Sequence, residues 1–230
     1  MIHLITARNR ALYPNELKAL HAARRERFIL ERGWPLAEED GGEYDPYDDG
    51  LAAHLVGLSD DGRIAVSCRL RTAEAGGVIP DLYPHLLAPG EPPAGAPGDY
   101  ECTRYFAAPW ARGDQGAAAR ASLHVALLEY ARDQGAKRLL GLTDARLFVH
   151  FEKTSGLRLR PVGAPARDGE SETIGFEIGV TGKDLEATRR RLGLPDRQLH
   201  FVSPAGAPSP VASSTVPPPN VAPSRVAALE

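Results

Sequence analysis

Cysteine and methionine are almost absent from this 230-residue chain, which holds two Cys and one Met, and only 7% of it is aromatic. Cys68 and Cys102 cannot supply the framework of a disulfide-stapled secreted domain, and they lack the close spacing of a zinc site. A reducing, cytoplasmic compartment and no metal are expected. An excess of charge of one sign is missing too: 27 Lys and Arg against 30 Asp and Glu leave a net −3. That excludes a chain-wide electrostatic footprint for nucleic acid or a membrane surface. No run approaches the roughly 18 consecutive apolar residues of a spanning helix. Arg8 and Arg10 are not followed by the apolar stretch of a signal peptide, so the chain is expected to be neither exported that way nor membrane-spanning.

What is present is an ordinary globular balance, 43% hydrophobic and 25% charged, enough for a sizeable core. The sharpest change of composition comes late, where residues 203–226 are mostly Pro, Ala, Ser and Val. It predicts a folded domain over 1–202 and a flexible tail over 203–230. Within the domain, Ile2 to Ile5 reads as a strand. Pro14 opens one helix in which Leu17, Leu20, Arg24 and Phe28 share a face until Gly33 closes it. Residues 34–50 read as a loop, 52–58 and 63–70 as a hairpin across Asp60-Asp61-Gly62, and 99–106 as a strand. Asp114 is expected to cap a helix carrying Leu123, Leu127 and Tyr130 and stopped at Gly135. A strand at 138–143 follows, then a helix capped by Asp144 and ended by Gly156, strands at 158–163 and 173–180, and a helix at 182–192. Strands with helical crossovers make an α/β sandwich with a mixed sheet.

Against that pattern a few residues are chemically odd. Arg24 falls on the apolar side of its helix, one turn before Phe28; Trp34, Asp45 and Asp48 follow in the loop. Arg69 interrupts an apolar strand, and Glu101 and Arg104 sit in Tyr100-Glu101-Cys102-Thr103-Arg104-Tyr105-Phe106. A buried charge costs several kcal/mol unless it is paired. Three arginines and three carboxylates can satisfy one another in a single network drawn from distant parts of the chain. Alone, each has an ordinary reading: a rim arginine with a buried stem, a turn-forming Asp, a strand-edge Glu.

Together, Arg24, Phe28, Trp34, Asp45, Asp48, Arg69, Glu101 and Arg104 resemble, in type and interval, the invariant set of the acyl-homoserine lactone synthases, the bacterial autoinducer synthases of quorum sensing. Asp81-Leu82-Tyr83-Pro84 is similar to that family's D-x-F-P segment, and Thr143-Asp144 through Gly156 to its T-D, helix and Gly. The resemblance spans residues 2–200. It implies a GNAT-acyltransferase-like, three-layer α/β sandwich whose mixed central sheet is splayed into a V between parallel strands, expected at 99–106 and 138–143. Arg112-Gly113-Asp114-Gln115-Gly116-Ala117 only roughly echoes the acyltransferase pyrophosphate loop and reads better as a glycine-rich turn before a helix.

The implied reaction joins S-adenosylmethionine to an acyl thioester. The α-amine attacks the thioester to give an amide, and the methionyl carboxylate then displaces methylthioadenosine and closes the lactone. The resemblance makes Glu101 the general base, directly or through a water, with Arg104 beside it in the catalytic segment. Backbone N–H groups near Tyr105 and Phe106 would hold the oxyanion. Phe28 and Trp34 offer flat faces to the adenine and the sulfonium. Arg24, Arg69 and Arg104 would balance Asp45, Asp48 and Glu101. Leu123, Leu127, Leu142, Thr143 and Phe148 are expected to line an apolar acyl pocket, Thr143 matching the family position whose hydroxyl accompanies 3-oxo chains. No cofactor is implied, S-adenosylmethionine being a substrate.

The donor stays open between acyl-CoA and acylated acyl carrier protein. The helix over 144–155 carries Arg146 and Lys153 but also Asp144 and Glu152, a thin patch for an acidic carrier. Asn9-Arg10-Ala11-Leu12-Tyr13 and Glu31-Arg32-Gly33-Trp34 look like the coenzyme-A-using branch, and Arg189-Arg190-Arg191 reads as a solvated face. Two readings stand beside the synthase: an acyltransferase of the same architecture for another amine, and a non-catalytic binding module that keeps the fold. Neither nucleic acid nor a membrane is an expected partner.

Overall fold

A computed structural model describes residues 1–168 and 171–204; from 205 onward the expected tail lies outside the described residues. The strands are β1 (Ile2–Ile5), β2 (Glu38–Glu39), β3 (Gly42–Glu43), β4 (Ala53–Leu58), β5 (Ile64–Thr72), β6 (Asp99–Ala107), β7 (Arg138–Asp144), β8 (Leu159–Pro161), β9 (Ala166–Asp168), β10 (Ser171–Ile178) and β11 (Leu199–His200). The helices are α1 (Pro14–Arg24), α2 (Val78–Leu82), α3 (Ala117–Asp133), α4 (Ala145–Thr154) and α5 (Gly182–Leu192). One mixed, largely antiparallel sheet runs β11-β1-β4-β5-β6-β7-β10-β8, with β9 paired to β10. Only β1–β11 and β6–β7 are parallel pairs among the described residues.

Strand alternation sorts the sheet's two faces. Val66, Cys68 and Leu70 of β5 join Leu123 and Leu127 of α3, Phe148 of α4 and Leu185 of α5 in the larger core. On the opposite face Ile5, Val56 and Phe106 pack with Leu20 and Phe28, and Leu140 and Leu142 of β7 pack with Val78 and Ile79 of α2. Helices therefore cover both faces, as the three-layer reading requires. The same alternation corrects one expectation: Leu142 lies across the sheet from Leu123, Leu127 and Phe148, so the four do not line one pocket.

Two departures from regular pairing shape the centre. The β6–β7 ladder runs from Asp99 opposite Arg138 to Cys102 opposite Gly141 and stops there. Beyond it Thr103–Ala107 and Leu142–Asp144 diverge, which is the expected V. Where β6 meets β5, the register shifts between Ser67 and Arg69, and Arg104 adopts a left-handed φ of 51°. This bulge puts consecutive Thr103 and Arg104 on one face, at a backbone cost of about 1 kcal/mol. Without it Arg104 would point into the larger core.

Several local expectations change. The single helix over 14–33 is α1 followed by a π-helical turn, Arg25–Glu31, closed where Trp34 N–H donates to the Phe28 carbonyl at 3.0 Å. Apolar spacing of three and four fits both, so the sequence does not separate them. The loop over 34–50 contains the β2–β3 hairpin, turned at Asp40 and Gly41, whose φ values of 50° and 77° are those an Asp-Gly turn takes. Asp114 does not cap α3, which starts after the tight turn Gly113–Gly116; a Cβ on Gly116 would sit 1.5 Å from the Ala111 carbonyl. Asp144 does cap α4, accepting from Arg146 N–H at 2.7 Å. No helix of the described residues is long and apolar enough to cross a membrane.

Burial of neutral histidines gives the fold an acid limit. Burial lowers His124 on α3 from 6.5 to about 4, and His54 on β4 to about 3. Between those values and 6.5 the unfolded chain binds more protons, so stability falls as pH falls, by about 1.4 kcal/mol per pH unit per group. Urea unfolding between pH 7 and 5 should show this loss, and His124→Gln should remove about one such slope; identical pH profiles for variant and wild type would contradict it.

Candidate active site

The odd charges meet in one closed ring on the α1 face of the sheet. Arg24 grips Asp48 with two bonds of 2.7 and 2.8 Å and donates through Nε to Glu43 at 2.5 Å. Glu43 accepts from Arg104 Nη2 at 2.8 Å, and the same nitrogen pairs with Asp45 at 2.7 Å. Asp45 takes two bonds from Arg69, at 2.5 and 3.0 Å, and Arg69 also donates to Asp48 at 2.9 Å. Cation and anion alternate around six groups, each touching two of opposite sign. Thr103 Oγ1 accepts from Arg69 Nε at 3.1 Å, its direct partner across the β5–β6 ladder, and the bulge that follows brings Arg104 to the same face.

Burial alone would push these carboxylates up, but the arginines outweigh it: Arg24 and Arg104 hold Glu43 below its ordinary range, and Arg69 does the same for Asp45 and Asp48. A ring so largely buried is tolerable only because every member is matched. The loop that supplies it is ordered by the same atoms, since Asp48 accepts from Asp45 N–H at 3.0 Å and Asp45 from Tyr47 N–H at 2.9 Å.

Glu43 was not among the expected residues, and it takes the place assigned to Glu101. The loop offers Glu38, Glu39, Asp40, Glu43, Asp45, Asp48 and Asp49, and sign alone does not choose among them. The one hint is Gly42, where a Cβ would meet His21 Cβ at 2.9 Å, so β3 lies tight against α1 and buries its neighbour. A second pairing was also missed: Arg71 donates to both oxygens of Asp49, at 3.1 and 2.8 Å.

Glu101 stands apart from the ring. It is fully buried, and its two oxygens accept from Val78 N–H and Ile79 N–H, each at 3.0 Å, in the first turn of α2. Burial raises its proton affinity, only partly opposed by those two N–H groups and by Arg69 and Arg71. A Cβ on Gly77 would lie 2.6 Å from its Oε2, so Gly77 is what leaves room for the carboxylate. Glu101 pairs with Leu140, one rung before the β6–β7 ladder ends.

Aromatic rings adjoin the ring of charges. Phe28 stacks on Trp34 with centroids 5.2 Å apart and planes 9° apart, and Phe106 meets Phe28 edge-on at 5.8 Å. Arg104 lies over the Phe28 face at 5.6 Å. Phe28 is buried while Trp34 is half-buried. On the other side of the sheet, Tyr105 and Thr143 belong with the α3–α4 side, where the Tyr105 hydroxyl bonds His124 Nε2 at 2.8 Å beside Phe151.

The fold that carries this site is shared with known proteins. The autoinducer synthase sequence profile matches residues 9–187. The chain belongs to the autoinducer synthase family. It is 29% identical over 199 residues to isovaleryl-homoserine lactone synthase of Bradyrhizobium diazoefficiens, covering 85% of this chain and 87% of that protein. It is 30% identical over 181 residues to the acyl-homoserine-lactone synthase of Ralstonia nicotianae, covering 77% and 86%. Among solved structures, the CoA-dependent acyl-homoserine lactone synthase BjaI, with SAM and isopentyl-CoA, superposes with a TM-score of 0.78 at 29% identity over 89% of this chain and 94% of that one. An N-acetyltransferase from Lactobacillus plantarum, at 17% identity and a TM-score of 0.52, shares the fold alone. As a family member the protein is an acyltransferase of acyl-homoserine lactone synthesis.

Opening the synthase's charged ring should be costly. Glu43→Gln leaves Arg24 and Arg104 short of a partner, and urea unfolding should show a loss of about 3–5 kcal/mol; a loss under about 1 kcal/mol, the level of an exposed pair, would contradict the ring.

Proposed function

We propose that the protein makes an N-acyl-L-homoserine lactone from S-adenosylmethionine and acyl-CoA, with Glu101 as the base that starts the reaction. The observation that carries this reading is the position of Glu101: a buried carboxylate, oriented by two backbone N–H groups, at the last rungs before β6 and β7 part. Its raised proton affinity suits a group that must accept a proton from an amine. In the first step the α-amine nitrogen bonds to the thioester carbonyl carbon, its proton passes to Glu101 directly or through water, and the C–S bond breaks to release the thiolate. In the second, a carboxylate oxygen of the methionyl group attacks the γ-carbon, the C–S bond of the sulfonium breaks, and neutral methylthioadenosine leaves with the lactone closed.

The remaining roles follow from placement. Past the fork, the Tyr105 N–H is on the side of β6 that no longer pairs with β7 and is suited to the tetrahedral oxyanion, whereas Phe106, expected beside it in that role, is in register with Ser67 of β5 and turns its N–H that way. Trp34 and Phe28 supply the flat wall for adenine and sulfonium, and the ring of Arg24, Arg69, Arg104, Asp45 and Asp48, completed by Glu43, positions that wall and Arg104. Of the expected acyl-pocket residues, Leu123, Leu127, Phe148 and Thr143 remain candidates on the α3–α4 side. S-adenosylmethionine is consumed as a substrate, and neither cofactor nor metal is called for. We place the reaction in the cytoplasm, in keeping with the free, buried Cys68 and Cys102.

Thiol release and product mass, followed with purified protein, S-adenosylmethionine and acyl-CoA thioesters, test the reading. Glu101→Gln should slow amide formation about 100-fold or more while the protein stays folded, and Trp34→Ala should raise the KM for S-adenosylmethionine. Unchanged turnover in the Glu101 variant would remove it from the base role; acylation of a different amine, indifferent to Trp34, would favour the alternative acyltransferase.

A further inference from the structure

Arg71 is a buried cation outside the ring, and it is the cross-strand neighbour of Glu101. The two stand directly opposite on the β5–β6 ladder, so their side chains share a face of the sheet. Among the described residues, however, the hydrogen bonds of Arg71 go elsewhere. Nε and Nη2 hold the two oxygens of Asp49, at 3.1 and 2.8 Å, while Nη1 donates to the carbonyls of Thr72, at 3.2 Å, and of Gly76. Asp49 is fixed in turn by accepting from Leu51 N–H at 2.9 Å. Gly76, with a left-handed φ of 79°, begins the turn through Gly77 into Val78 and Ile79, whose N–H groups hold the Glu101 carboxylate. The guanidinium thus grips the backbone two residues before the first of those donors. A second hold acts on the same turn: Asp81 Oδ2 accepts from Gly77 N–H at 3.0 Å and from the Tyr47 hydroxyl at 3.1 Å, and Arg71 lies over the Tyr47 ring at 5.6 Å.

A base needs this arrangement more than a direct ion pair. A carboxylate bonded to a guanidinium is too weakly basic to take a proton from an amine, whereas a fully buried carboxyl with no cation near it stays protonated and takes none. Arg71 lies between those limits: Asp49 offsets part of its charge, and the remainder acts across the ladder on Glu101, alongside that of Arg69. The groups that face Glu101 are Arg69 and Arg71 of β5, Tyr47 of the loop, and apolar Val78 and Ile79 of α2 and Leu140 of β7. We propose that Arg71, held by Asp49, is the positioning residue of the base: it fixes the Gly76–Gly77 turn that aims two N–H groups at Glu101, and it stands as the cation across the ladder from that carboxylate. The proposal rests on the reading of Glu101 as the base, and adds which side chains set its geometry and its charge.

Infrared titration of the Glu101 carboxyl on the full chain, its band identified as the one that Glu101→Gln lacks, tests this beside kcat for amide formation against pH. Arg71→Gln removes the cation and releases the Gly76 carbonyl. The carboxyl should then titrate about one pH unit higher, and kcat below its midpoint should fall about tenfold and recover as the pH rises. Asp49→Asn leaves Arg71 an acceptor but removes the anion that offsets it, so the same titration should move to lower pH. A titration unmoved in Arg71→Gln overturns the proposal, and so does a shift in the same direction in both variants, which is what a general loosening of the turn would give. If Arg71→Gln does not fold, Asp49→Asn carries the test alone: a shift to lower pH supports the proposal, and no shift or one to higher pH overturns it. The base role is scored separately. Unchanged turnover in Glu101→Gln contradicts that role, while opposed shifts of the carboxyl in the two variants still support the hold of Arg71 on Glu101.

Discussion

The structure depends on a closed circuit of six buried charges. Arg24 comes from α1, Glu43 from β3, Asp45 and Asp48 from the loop that follows, Arg69 from β5 and Arg104 from β6, and no two adjacent members come from the same element. Each bond therefore ties two parts of the chain together. Because the cost of a buried unpaired charge far exceeds the net gain of a buried pair, the circuit does more to specify one arrangement than to add stability. It sets where the π-helical turn leaves α1, and with it the stacked pair of Phe28 and Trp34.

The centre of the sheet is organised by two local breaks in β6. The bulge at Arg104 turns that side chain out of the larger core and into the circuit, and the end of pairing after Cys102 opens the V. Glu101 lies just before both, outside the circuit but within reach of the Arg69 charge, and held by the first turn of α2.

Much of this was readable from the residue pattern. Arg24, Arg69 and Arg104 stood out because charge in an apolar period demands a partner, and the cap at Asp144 followed from ordinary helix signals; the strands at 99–106 and 138–143 were legible as strands, but their parallel pairing at a V came from the resemblance to the synthases. Glu43 was hidden among equivalent acids, since choosing the partner requires knowing that β3 packs on α1. The π-helical turn and α2 are too short for periodicity to register. The grouping of Leu142 with Leu123 failed because apolar character says nothing about which face of a strand a residue takes until its register is known.

The central claim is that the circuit, by geometry and not by charge alone, holds the surface that receives S-adenosylmethionine. Calorimetric titration of S-adenosylmethionine into Arg69→Lys tests it most directly, because lysine keeps the charge but cannot make the paired bonds to Asp45 or reach Thr103 at the same time. The account predicts that affinity falls about tenfold or more in a protein that remains folded; wild-type affinity in that variant would contradict it.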